Sequence, residues 1–558
     1  MATDFKQRLQ DFLNQTLKEH FPENEIPLAE LDTPNDKAHG DLATSVALKS
    51  AKIFKRPPIK IAEEFVGIIK NKIASTDSLK SYIDNVDIKA PGFINFYLSR
   101  TAVFDILETV LTQKEDFGRS SFGQGKKIQV EFVSANPTGP LSVAHGRQAA
   151  VGDALVNVLN FVGFRAAREY YVNDEGNQIN ILGRSIQYRA TEVLGGKIDF
   201  PEECYQGEYI YDIAKDFIQD QRVENLQDLK QRPAQDFLRY GVDYLMAIIQ
   251  KELDDFGVHF DHWSYQSQIA SEQKTKEALD FLRSKGFLYE HEGAIWFRTT
   301  EFGDDKDRVL QKSDGSYTYF SPDIAYHKNK FERGFEEVVG ILGPDHHGYI
   351  PRLKAAVQAL GYSPDTLRVL IVQLATIYRN GKPVSMSTRR GQYISLREVM
   401  DEVGKDAARF FFLMRHISAH LEFDLELAKK QTAENPVFYI QYAHARIYSV
   451  FDKAKEAGLG FKVADFKLLK EVEEMDLIKK IGDLPQILII CRHQMDVFAL
   501  LNYLLELATV FHKFYDQHKI IDKENFELSQ ERLALIEAAR IVLANGLKLL
   551  GVTRPEKM

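Results

Sequence analysis

The residue types that do chemistry gather in a few short segments, each placed just after a run that reads as a β-strand. After IQVEFVSA comes Asn136-Pro137-Thr138-Gly139-Pro140-Leu141-Ser142-Val143-Ala144-His145-Gly146-Arg147. Small residues let a backbone approach a ligand closely, and a helix that follows such a turn presents free N–H groups to a phosphate. His145 stands at the start of that helix, in place to hydrogen-bond phosphate oxygens. The plain alternative is a tight strand–helix turn with a capping histidine. A second segment, QLATIYRNGKPVSMSTRRGQYISL, holds Arg379, Lys382, Arg389 and Arg390 and no acid. A basic loop after a strand suits a polyphosphate, whose charge it neutralises during reaction; the alternative is an exposed hairpin. A third, Thr318 to His327, sets Tyr319, Asp323 and Tyr326 close together, a carboxylate and phenols suited to a cationic substrate. Gly343-Pro344-Asp345-His346-His347-Gly348 follows the strand-like VVGIL, and a glycine turn before a helix suits a ribose or nucleobase.

Two tempting motifs fail. FGQGKK lacks the first glycine of a phosphate loop, since Ser120 stands there, and Lys127 replaces the required Ser or Thr. His291-Glu292 has no second histidine at the zinc-protease spacing. His327, Asp345, His346 and His347 show no regular ligand spacing, so neither zinc nor another bound metal is expected.

The elements that must position these residues differ along the chain. Of the 558 residues, those to about 112 open with helical periodicity and close on DNVDIKAPGFINFYL, two strands broken at Pro91-Gly92. This α+β stretch carries KSAKIFKRPPIK, in which Lys49, Lys52, Lys55, Arg56 and Lys60 are unaccompanied by acid. From 113 to 430, strand-like runs (KIQVEFV, REYYV, FEEVVGILG, LRVLIVQLATI) alternate with helices. One of these helices puts Val151, Leu155, Val158, Leu159 and Val162 on a single face. Strand–helix–strand repetition predicts a doubly wound parallel sheet of the Rossmann type, with a helical insertion at about 181–290. From 431 to 558 two stripes, one from Val497 to Phe511 and one from Leu533 to Leu550, predict an all-α helix bundle.

Composition sets limits. Hydrophobic residues are 44% and charged residues 27%, which excludes disordered, collagenous and coiled-coil classes. Two distant cysteines, Cys204 and Cys491, exclude a disulfide framework and a four-cysteine zinc site, and fit a reducing compartment. There is no signal-peptide core and no apolar run of membrane-spanning length. A cytoplasmic protein away from membranes is therefore expected; that it is a monomer is a separate expectation, not read from composition. At a net charge of −9, any nucleic acid must be held by local basic patches.

With these segments in order, the chain resembles the arginyl-tRNA synthetases of class I over essentially its whole length. VEFVSANPTGPLSVAHGRQAAVGDAL is similar to the HIGH-signature segment, and REYYVNDEGNQI to the block after it. GDDKDRVLQKSDGSYTYFSPDIAYHKNKFERG and GILGPDHHGYIPRLKAA are similar to the second half of the catalytic domain. MSTRRGQYISLREVMDEVGKDAARFFFL occupies the KMSKS position, and NPVFYIQYAHARIYSV resembles the entry to a helical anticodon-binding domain. AHGDLATSVALKSAK with KAPGFINFYLS resembles the N-terminal domain that meets the tRNA elbow.

The resemblance implies a ligase that joins arginine to ATP as arginyl-adenylate, with Mg²⁺ accompanying the ATP, and then to the 3′ end of tRNA(Arg). It implies that Glu131, Asn136, Tyr319 and Asp323 bind arginine. Pro137, Thr138, Gly139, His145, Gly146, Gly343, Asp345, His347, Met386 and Ser387 would serve ATP. Ser142, His145, Lys382, Arg389 and Arg390 would act on the phosphates, and Lys49, Lys52, Lys55, Arg56, Tyr442 and Tyr448 would meet tRNA. Two departures stand out. Ser142 and Ala144 replace a histidine and the glycine of HIGH, and Ser385-Met386-Ser387-Thr388-Arg389 lacks both lysines of KMSKS. They leave open a non-catalytic tRNA-binding paralogue. A synthetase for another amino acid, such as cysteine, is a second rival, against which the lack of a zinc-ligand cysteine set speaks.

Overall fold

The structure is a computed structural model that describes residues 2–34, 36–384, 394–461 and 466–558. At its centre lies a five-stranded, wholly parallel sheet: β1 (Lys127–Glu131), β2 (Arg165–Val172), β3 (His262–Tyr265), β4 (Glu337–Leu342) and β5 (Leu367–Ile371), in the order β5-β4-β1-β2-β3. The chain builds outward from β1 to β3, then crosses back to place β4 on the other side of β1. The switch point between β1 and β4 opens a crevice beyond the strand ends, where ligands of such sheets bind.

Helix α1 (Val143–Phe161) joins β1 to β2 and is buried almost all round. Helix α2 (Phe320–Glu332) precedes β4 and reaches the central strands through Tyr326, which donates to Glu169 on β2, and Lys330, which meets Glu131 on β1. The expected insertion is not one helical block. Helices occupy 177–255, but His262–Tyr265 returns to the sheet edge as β3, and a separate three-stranded antiparallel sheet forms over 288–311. HWSY alternates over four residues only, the shortest run that reads as a strand, and it lies in a stretch that otherwise reads as helical. LRVLIVQLATI also divides. β5 ends at Ile371, and Ala375–Arg379 pairs with Leu421–Asp424 in another sheet. The buried Arg147 guanidinium explains the break, because it donates to the carbonyls of Gln373 (2.7 Å), Ala419 (3.0 Å) and His416 (3.2 Å).

The N-terminal module has its own core, from Phe5 to Phe96, with Ile83–Lys89 and Phe93–Leu98 paired as the expected hairpin. The catalytic sheet and the C-terminal helices, by contrast, share one continuous core. Helix Arg100–Gln113, within the stretch read as N-terminal, packs on bundle helices Val472–Gly482 and Phe526–Leu550. Among the described residues no helix is long and apolar enough to cross a membrane.

Candidate active site

A cavity of about 380 Å³ occupies the switch point, lined by the segment after β1, the first turn of α1, one face of α2 and the turn after β4. Its making starts at the end of β1. Val133 and Ser134 adopt φ of 68° and 40°. A β-branched residue in the left-handed region stores strain of about 1–3 kcal/mol, and such strain persists only where the surroundings over-determine it. Here they do: Ser134 Oγ donates to Glu131 (3.0 Å) and accepts from Tyr171 N–H (3.1 Å), while Tyr170 Oη donates to Ala135 O (2.8 Å). The bend turns Glu131, Ser134 and Asn136 into the cavity.

Three electrostatic features dominate. Asp323, on the first turn of α2, accepts from Tyr349 Oη at 2.5 Å. Burial, only partly offset by that bond, raises its carboxyl to about 7. Glu131 contacts the Lys330 ammonium. Burial alone would raise Glu131, but the ammonium reverses this and holds it below the usual carboxylate range. His145 is pushed down to about 4 by burial and is neutral near pH 7. Its Nδ1 accepts from Ser142 N–H at 3.1 Å, so the neutral ring carries its hydrogen on Nε2. Asn173 Oδ1, also in the lining, is buried without a hydrogen-bond partner, an acceptor left for a ligand.

Of the residues singled out from sequence, Glu131, Asn136, His145, Tyr319, Asp323, Gly343 and Asp345 line this one cavity. Others do different work. Ser142 caps α1 in a reciprocal box with His145. Gly146 lets α1 approach its neighbours, since a Cβ there would meet Leu396 Cδ1 at 2.7 Å and Phe412 Cε2 at 3.0 Å. Pro137, Thr138 and Gly139 lie outside the lining, and Thr138 O accepts from Tyr209 Oη at 2.6 Å. His346, not His347, faces the cavity. Lys382 is exposed on a hairpin after Arg379, which is itself paired with Glu402. Met386, Ser387, Arg389 and Arg390 lie outside the described residues. Sequence reading missed Tyr171, Lys330 and Tyr349. Lys330 had a readable signal, falling seven residues after Asp323 on the same helical face.

The basic N-terminal segment is partly neutralised. Lys49 pairs with Glu30, Arg56 with Glu64 and Lys60 with Glu63, whereas Lys52 and Lys55 are exposed with no acidic partner among the described residues. In the bundle, Arg446 lies over the rings of Tyr442 and Tyr515, each at 4.6 Å, and Arg540 lies over Tyr448 at 5.2 Å.

Comparison with known proteins decides what this cavity belongs to. The pattern of "tRNA synthetases class I (R), catalytic domain" matches residues 106–421, more than half of the chain. The chain belongs to the arginyl-tRNA synthetase family. The "Arginyl tRNA synthetase N terminal domain" matches 4–98 and the "DALR anticodon binding domain" 440–558. The arginine–tRNA ligase of Citrifermentans bemidjiense is 47% identical over 536 residues, 96% of each chain, and that of Halalkalibacterium halodurans 45% over 534 residues, 96% and 95%. The fold is that of the Thermus thermophilus arginyl-tRNA synthetase (TM-score 0.77, 21% identity, 99% and 100% covered). It is likewise that of the Plasmodium falciparum enzyme (0.74, 18%, 99% of each). An arginyl-tRNA synthetase of class I makes and transfers an aminoacyl-adenylate, and this chain is such a ligase.

Proposed function

We propose that the switch-point cavity binds L-arginine between two carboxylates and activates it there. The carrying observation is Asp323: a recessed carboxyl, ringed by phenols, with no cation within hydrogen-bonding reach among the described residues. A guanidinium supplies that cation and forks onto it, with Tyr319 at the mouth and Tyr349 alongside. The α-ammonium goes to Glu131 and Asn136. The substrate carboxylate then points toward the first turn of α1.

ATP, entering with its Mg²⁺, lies along that turn, with adenosine toward Gly343 and Asp345. Helix N–H groups and the Nε2–H of neutral His145 stabilise the α-phosphate as charge develops. His145 contributes a dipole, so positive charge for the departing pyrophosphate falls to Lys382, Arg389 and Arg390, with Met386 and Ser387 steadying the nucleotide. The arginine carboxylate attacks the α-phosphorus and pyrophosphate leaves. A hydroxyl of the tRNA 3′-terminal adenosine next attacks the carbonyl and AMP leaves. Most of the acceleration is positioning. Among the described residues no group of three or more His, Cys, Asp or Glu is arranged to hold a metal.

The tRNA elbow rests on the N-terminal module at Lys52 and Lys55, and the anticodon stacks on the arginine-backed rings of Tyr442 and Tyr448. The soluble chain works as a monomer in the cytoplasm. The test is charging of total tRNA with each amino acid, alongside arginine-dependent ATP–pyrophosphate exchange with tRNA present. Arginine alone should be transferred. A chain that bound tRNA but gave no exchange would be a non-catalytic paralogue.

A further inference from the structure

The cavity holds a cation of its own. Lys330, on the third turn of α2, is 1% exposed, and its Nζ lies 2.5 Å from Glu131 Oε2 and 3.9 Å from the centre of the Tyr326 ring. Ammonium groups are almost never this deeply buried unless paired. Its surroundings are built to hold it. Tyr326 is fixed from behind by donating to Glu169 (2.9 Å), and Glu169 is held by Arg333 (2.6 Å) and Ser264 (2.8 Å). His327, next to it on α2, is pinned through Nδ1 to Asp323 O at 2.8 Å.

We propose that Lys330 is a positioning residue for the amino-acid substrate: it orients the Glu131 carboxylate and sets the cavity's charge to accept arginine's α-ammonium. This rests on the arginine-binding reading above. Lys330 takes one lone pair of Oε2 and Ser134 takes one of Oε1, which fixes the carboxylate plane and leaves a lone pair on each oxygen for the substrate. The charges also match. Glu131, Asp323 and Lys330 sum to −1, and L-arginine with two cations and one carboxylate carries +1. Without Lys330 the two carboxylates would repel across a shared cavity, and Glu131, no longer held low by the ammonium, would take up a proton in the range where Asp323 does.

The groups that face Glu131 are Lys330, His327 and Tyr326 from α2, Tyr171 from β2 with Glu169 in register beside it, and Tyr319 and Asp323 across the cavity. His327 is driven down to about 4 by burial and by Lys330, and Tyr171 and Tyr326 are driven above the ordinary phenol range by burial. None of these three titrates between pH 5.5 and 8. Within that window the acid side of kcat/KM for arginine should follow one proton, on Asp323.

The experiment is aminoacylation of total tRNA by Lys330→Met, Lys330→Arg, Glu131→Gln and the double variant Glu131→Gln/Lys330→Met. Lys330→Met should raise KM for arginine about ten- to a hundredfold, the loss of a hydrogen bond to a charged group, with KM for ATP unchanged. Its acid limb should steepen from one proton to two as Glu131 joins Asp323, whereas Lys330→Arg keeps a limb of one proton. In the double variant, which removes both charges of the pair and so survives loss of either partner, deleting Lys330 should add nothing to the effect of Glu131→Gln. Additive losses, or a Lys330→Met limb still of one proton, would overturn the proposal. A Glu131→Gln enzyme with unchanged arginine KM would instead overturn the reading of the cavity on which it rests.

Discussion

At the residue scale, the decisive group is Asp323. Its carboxyl rises from 3.8 to about 7, with burial as the main cause. Between those values the unfolded chain holds fewer protons here than the folded one, so stability falls as pH climbs from about 4 to 7 and is level above. Asp323→Asn removes this cost. Its stabilisation relative to the parent should be absent near pH 4, grow to about 1–3 kcal/mol by pH 8, and be visible as a higher Tm. The same variant should lose arginine charging by orders of magnitude while KM for ATP barely moves. In the parent, kcat/KM for arginine should drop as pH falls below about 7, because the protonated acid no longer pairs with a guanidinium. A Tm difference independent of pH would count against the recessed carboxyl as its source.

At the element scale, α1 does most of the positioning. It begins at the end of the strained β1 loop, carries His145 on its first turn, and is capped by Ser142. Two roles for Ser142 then give different outcomes. As a cap, Ser142→Ala costs about 1 kcal/mol of stability and slows adenylate formation less than tenfold. As a phosphate donor in the transition state, its loss would cut kcat by about 10²–10³, as with other such donors. The capping geometry predicts the first result, measured by urea unfolding together with single-turnover adenylate formation.

At the scale of the whole molecule, the catalytic sheet and the bundle are not separable units. Arg409 is fully buried. It contacts Asp153 on α1, the carbonyl of Leu550 at the end of the last bundle helix (3.2 Å) and that of Phe256 (3.1 Å). Gly551, at φ 70°, makes room for it, since a Cβ would meet Arg409 Nη2 at 2.2 Å. Arg409→Leu strands those partners and should cost about 3–5 kcal/mol. Because one core runs through both parts, the variant should melt in a single transition that takes catalytic sheet and bundle together; two separate transitions would contradict a shared core. The N-terminal module, with its own core, is a more independent arm. There Lys52→Ala with Lys55→Ala should weaken tRNA binding and flatten its salt dependence by about one unit of log–log slope per lost phosphate contact. Lys49→Ala and Arg56→Ala, whose charges are already met by Glu30 and Glu64, should do less.

Order and identity of the segments were legible in the sequence: the strand–helix alternation, the helical stripes of the C-terminal region, the basic segment, and Asp323 beside its phenols are local patterns of period and type. So were Asn136, His145, Gly343 and Asp345, because the residues after parallel strands of a switched sheet converge by topology; Tyr319 and Asp323 follow a strand of the separate antiparallel sheet, and Glu131 came only with the family resemblance. The rest depends on groups distant in sequence. β3 is four residues long and becomes a strand only by pairing with β2. The run after Leu367 leaves the sheet because Arg147, some 226 positions away, takes its carbonyls. Lys330 is a partner of Glu131, 199 positions away, only once the chain is folded, whereas the Ser142–His145 cap is local and was legible as the plain alternative for that turn. Side-chain type states what a residue is able to do, but burial and the nearest charge decide which of those things it does, and both are properties of the packed chain alone.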